Sequence, residues 1–137
     1  MDTVIVIMEK DKKSGFLEKE AGSLSLSKNE EYIVNVYSVD DSLYLRLSVD
    51  RDVKDWEYNA VFDYFDTEVF GDKVNEISEV GDTYNPTWEF KLSFDRENQE
   101  DITERVEEIL EIFKTEINDV FNVIADKEGE YLNEEEQ

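Results

Sequence analysis

The chain contains no histidine and no cysteine in 137 residues. Without an imidazole, the commonest general base and the commonest neutral metal ligand are gone. Without a thiol, the cysteine nucleophiles and the thiolate zinc sites are gone as well. The lack of cysteine also excludes a small scaffold held by disulfides. Glycine is scarce at five residues and proline occurs once, which leaves little room for a flexible catalytic loop. Neither GxxxxGK[ST] nor GxGxxG is present, so phosphate cradling by a glycine-rich loop is unsupported. GxSxG is missing too, and a serine nucleophile would have no histidine to activate it. No stretch approaches the ~18 apolar residues of a membrane span. The only apolar run near the start, Val4 to Met8, is far shorter than a secretory h-region and follows Asp2 rather than a lysine or arginine. These absences read as a cytoplasmic, single-domain, non-enzymatic protein with no cofactor.

What the chain does have is acid. Thirty-seven aspartates and glutamates against fourteen lysines and arginines give a formal net charge of −23. Such a charge repels nucleic acid and anionic lipid and favours basic proteins or cations. Hydrophobic residues still make up 39% and aromatics 12%. That is too much apolar surface for a disordered acidic chain. The length lies near the modal size of one domain.

The first half carries strand periodicity. Thr3 to Glu9 is a short, near-continuous apolar run, and Asp11 to Gly15 follows as a turn. Phe16 to Ser27 is sparsely apolar, with Gly22 marking a bulge or turn. Glu31 to Val39 is apolar on both faces, and Asp40-Asp41-Ser42 makes a tight connection to Leu43, Leu45, Leu47 and Val49, which alternate with polar residues. Lys73 to Val80 and Thr87 to Phe94 form a further pair around Gly81-Asp82 and Asn85-Pro86. The pattern reads as an antiparallel meander followed by a hairpin.

Residues 52–70 fit two periods. Trp56, Tyr58, Ala60, Phe62 and Tyr64 alternate as a strand would. As a helix, Asp52 caps the start, Asp55 meets the positive end of the dipole, and Gly71 closes the end. Nineteen residues without an internal glycine or proline exceed a typical strand, so helix is the reading taken.

Residues 99–126 give the clearest pattern. Ile102, Val106, Ile109, Phe113, Ile117, Val120 and Ile124 step by four or three, tracing one apolar stripe along about 40 Å of helix. Leu110 and Phe121 widen it, and Asn98 or Asp101 caps it. The fold expected is therefore α+β. An antiparallel sheet of about six strands is covered by a long amphipathic C-terminal helix, with a second helix at 52–70. One domain spans 1–126, followed by an acidic, disordered tail at 127–137.

Two surfaces stand out. On the long helix, Glu104, Glu107, Glu108 and Glu111 lie away from most of the stripe, and two pairs of them are like-charged at i,i+4. This acidic face is the candidate docking surface for a basic protein, weighed against a merely solvated face. As a nucleic-acid mimic it is thin. The helix holds nine acidic and two basic residues, whereas the same length of duplex carries over about 20 charges. The alternative is a small-ligand or cation site built from the aromatic cluster around Trp56, Tyr58 and Tyr64 with carboxylates nearby, weighed against plain core packing. Pairs such as Asp63 and Asp66 invite a cation, but no EF-hand spacing occurs. Lys10, Lys12, Lys13 and Lys19 cluster at the first turn, where they could meet the acidic tail.

Overall fold

The computed structural model describes residues 3–95 and 97–135. It is an α+β fold in which one six-stranded sheet is covered on one face by helices. The strands are β1 (Thr3–Lys10), β2 (Leu17–Leu26), β3 (Ile33–Val39), β4 (Ser42–Ser48), β5 (Glu76–Val80) and β6 (Thr87–Ser93). Their spatial order is β2-β1-β3-β4-β6-β5.

The sheet is mostly antiparallel, but the first three strands are not a meander. β2 pairs antiparallel with β1, and β3 then lies on the other side of β1, parallel to it, with Met8 opposite Tyr37. The connection after β2 therefore passes the start of β1 before β3 begins. It holds Asn29 in a left-handed backbone (φ 67°), which asparagine tolerates better than most residues, and a single 3₁₀ turn at Glu30–Tyr32. Thr3 Oγ1 donates to Glu30 Oε1 at 3.3 Å where the connection passes. Alternation reveals a strand but not its neighbour, so this crossing left no mark in the pattern. The irregularity expected at Gly22 is there: the β1–β2 register shifts beside it, leaving Ala21 as the extra residue.

The strand alternation sets the core. Leu43, Leu45 and Leu47 of β4 and Trp88, Phe90 and Leu92 of β6 face the helices and are buried, in register with one another. The long helix α2 runs over Gln99–Ile124. All seven residues of its stripe are buried, together with Leu110. Phe113 sits at the centre, with Tyr32, Phe65, Trp88 and Phe90 ring to ring at 5.3, 5.7, 5.7 and 6.3 Å. Each fully buried side chain of this size contributes about 1.5–3 kcal/mol of transfer free energy, so the stripe holds the two layers together.

The second helix is shorter than the sequence suggests. α1 spans Asp55–Tyr64. Its start is set two residues later than Asp52, at Lys54: Glu57 Oε1 accepts from Lys54 N at 2.9 Å, while Asp52 instead accepts from Asn85 Nδ2. It ends where Phe65 turns extended to lay its ring on Trp88 at 4.2 Å. Asp66 Oδ1 then accepts from Glu68 N and begins a 3₁₀ segment at Thr67–Lys73, kinked at Gly71 (φ 57°). The helix expected over 52–70 thus breaks in two so that Phe65 and Phe70 both reach the core.

The tail differs as well. Residues expected to be disordered after 126 form α3 (Glu128–Glu135). Tyr131 fixes it to α1, its hydroxyl donating to Asp63 Oδ2 at 2.7 Å and its ring lying 6.1 Å from that of Trp56. Glu136 and Gln137, the end of the expected tail, lie outside the described residues. Among the described residues no helix is long and apolar enough to cross a membrane.

Candidate acidic docking channel

The buried stripe of α2 dictates what its outer side presents. Glu104 and Glu108 point towards the 3₁₀ segment 67–73, and the space between them is an open depression of about 260 Å³ lined by Asp72, Lys73, Asp101, Glu104, Arg105 and Glu108. A second depression of about 320 Å³ lies at the start of the helix, lined by Asp41, Ser93, Phe94, Asp95, Asn98, Asp101, Ile102 and Arg105. The two share Asp101 and Arg105; taken together as the acidic channel, they are lined among the described residues by six carboxylates and two cations.

The cations are partly spent. Lys73 Nζ lies 2.8 Å from Glu108 Oε2, and its hydrogen bond and charge hold the Glu108 carboxyl below the usual range. Arg105 Nη2 reaches Asp101 Oδ2 at 4.0 Å. Asp72 and Glu104 have no ion-pair partner among the described residues. The start of α2 offsets some repulsion, since the helix dipole favours anions in the first turn.

The other two glutamates of the expected acidic face do different work. Glu107 Oε1 accepts from Ser27 N at 3.1 Å and from Ser27 Oγ at 3.3 Å. Glu111 Oε2 accepts from Asn29 Nδ2 at 2.9 Å and pairs with Lys28 Nζ at 3.3 Å, and these contacts lower its pKa. Both tie the connection from β2 to β3 onto the helix. Sequence spacing places all four glutamates on one helix; only the fold divides them into two outward and two fastening the crossing. Asp41 comes from the β3–β4 turn, Asp72 from the 3₁₀ segment and Asp95 from the connection after β6, and no local signal in the chain announces that they meet α2.

The aromatic cluster is distributed rather than gathered. Trp56 is buried between α1 and α3, and its Nε1 has no hydrogen-bond partner among the described residues. Tyr58 shares a hydrogen bond with Thr83 Oγ1 at 3.2 Å and meets Phe62 edge-on at 5.1 Å. Tyr64 is exposed, with Lys127 Nζ 5.3 Å above its ring. Phe62, Phe65 and Phe70 pack on Trp88 and Phe90. Among the described residues no group of three or more acidic side chains is placed to hold a metal ion.

Lys10, Lys12 and Lys19 of the first turn find partners within their own end of the sheet. Lys12 bridges to Asp40, Lys19 Nζ lies 3.3 Å from Glu9 Oε2, and Lys10 Nζ sits 4.9 Å over the Tyr37 ring. Neither a curated protein nor a solved structure matches the chain. A family model does match, over residues 1–132, and the chain accordingly belongs to the family of unknown function DUF6762.

Proposed function

We propose that this protein is a non-catalytic binding domain that docks a basic protein segment in the channel at the start of α2. The observation that carries this reading is the excess of carboxylates there: among the described residues Asp41, Asp72, Asp95, Asp101, Glu104 and Glu108 line it with Lys73 and Arg105 as the cations. An extended lysine- or arginine-rich segment would find successive carboxylates to pair with, and the net charge of −23 would steer it in. The absence of histidine and cysteine supports a binding role over a catalytic one. The lack of cysteine is in keeping with a cytoplasmic setting.

A titration with a short lysine-rich peptide tests it. Asp101→Asn with Glu104→Gln removes two channel charges, and Asp119→Asn with Glu130→Gln removes two elsewhere. The channel pair is expected to weaken binding about fivefold more than the control pair, a difference of about 1 kcal/mol. Equal weakening would mean that diffuse charge, and no channel, binds the peptide.

A further inference from the structure

On the uncovered face of the sheet, lysines of this acidic chain gather around aromatic rings: Lys10 Nζ lies 4.9 Å over Tyr37 and Lys91 Nζ 5.9 Å over Tyr44. Tyr37 of β3 and Tyr44 of β4 are cross-strand partners, and their rings stack at 5.2 Å and 12°. They lie on the face opposite Leu43 and Leu45, as the alternation of β4 requires. The β1–β2 turn arches beside them, with Gly15 at φ +76° allowing the reversal. Between turn and rings is an open depression of about 470 Å³ lined by Lys10, Asp11, Lys12, Lys13, Ser14, Gly15, Tyr37, Val39 and Tyr44. Its size falls within the range of small-ligand sites.

We propose that this depression binds a small organic anion with a phosphate group carried on a flat ring, of the nucleotide class. Val39 and the half-buried Tyr44 form the apolar floor, and Lys10, Lys12 and Lys13 form a cationic wall. The opposing carboxylates are occupied: Asp11 accepts from the amides of Lys13 and Ser14 at 3.4 and 3.1 Å, and Asp40 is bridged by Lys12. The Lys13 ammonium has no ion-pair partner among the described residues. Charges farther than about 8 Å are largely screened at physiological salt. Along the lining Lys10, Lys12 and Lys13 face the single carboxylate of Asp11, so an anion here meets a local excess of positive charge while the remote acidic surface is screened. The phosphate pairs with the ammonium groups as a charge-assisted contact, and the ring lies on the floor.

The test is a titration with adenosine diphosphate and with pyrophosphate, in EDTA so that no magnesium bridges to surface carboxylates. Amide NMR shifts of Gly15 and Val39 locate the binding. The diphosphate nucleotide is expected to bind about fivefold or more tighter than pyrophosphate, because only it can use the aromatic floor. Lys12→Gln with Lys13→Gln is expected to weaken it about tenfold, in keeping with the loss of two charge-assisted contacts. Lys13→Gln alone, which breaks no ion pair, is expected to lower affinity without changing the melting temperature. Absence of nucleotide binding, or binding unchanged in a folded Lys13→Gln variant, would overturn the site. Equal affinity for the two probes would overturn the ring-bearing ligand.

Discussion

Glu111 Oε2 accepts a hydrogen bond from Asn29 Nδ2 at 2.9 Å, joining residues 82 positions apart in the chain. With Glu107 on Ser27, it fastens the connection that carries the chain across β1. A helix face that reads as an exposed acidic stripe is thus half structural. Replacing Glu107 and Glu111 together by alanine is expected to lower the melting temperature and speed hydrogen exchange at the Ser27 amide. Exchange at the buried amides of β4 should speed up less than at Ser27. Because the Glu111 carboxyl is held below its ordinary range, its contribution is present at neutral pH and is lost as pH falls through the lowered value. Wild-type exchange at Ser27 in the double variant would show that these contacts hold nothing.

Phe113 is the packing centre of the helix and sheet layers. Its truncation to alanine removes ring contacts with Tyr32, Phe65, Trp88 and Phe90 at once. The expected cost is about 3–5 kcal/mol in chemical denaturation. Phe113→Leu should cost clearly less, since most of the volume is kept. Equal losses from the two would mean that ring geometry outweighs filled volume here.

On the uncovered face, burial and the hydrogen bond to Glu89 Oε1 at 2.7 Å push the Tyr37 phenol up to about 12 from an ordinary 10. The neutral phenol is favoured by folding. Its contribution is complete below pH 10 and is lost as pH rises through about 12. Wild type and Tyr37→Phe should therefore show stability curves that converge over that alkaline window. Curves running parallel through it would contradict the linkage.

Trp56 lies beneath α3 with its indole N–H unbonded among the described residues. A buried donor without a partner costs free energy, so Trp56→Phe is expected to destabilise far less than the ~3–5 kcal/mol of Trp56→Ala. Ending the chain at Asp126 removes Tyr131 and should red-shift the tryptophan emission and admit a collisional quencher. Unchanged emission would place Trp56 out of contact with α3.

The long helix was legible in the sequence because one unbroken period of 3.6 runs through seven residues that are all buried. The strands were legible for the same reason at period two. What the chain hid was neighbourhood. The parallel β1–β3 pair arises from a six-residue connection whose direction depends on Asn29 and on side chains of α2 far along the chain. The helix expected over 52–70 breaks because Phe65 and Phe70 both have partners in the sheet, a tertiary demand that periodicity does not register. Of the candidate acidic face, sequence found Glu104 and Glu108 but not Asp41, Asp72 and Asp95, which reach the channel only through the fold.

The proposed docking of a basic segment at the start of α2 has a direct structural readout. Amide NMR mapping during titration with a lysine-rich peptide tests it most directly. Shifts are expected to concentrate at Asp41, Asp72, Asp95, Asp101, Glu104 and Glu108 and to diminish along α2 towards Asp119. Shifts spread evenly over the carboxylates of the whole surface, or centred elsewhere, would contradict it.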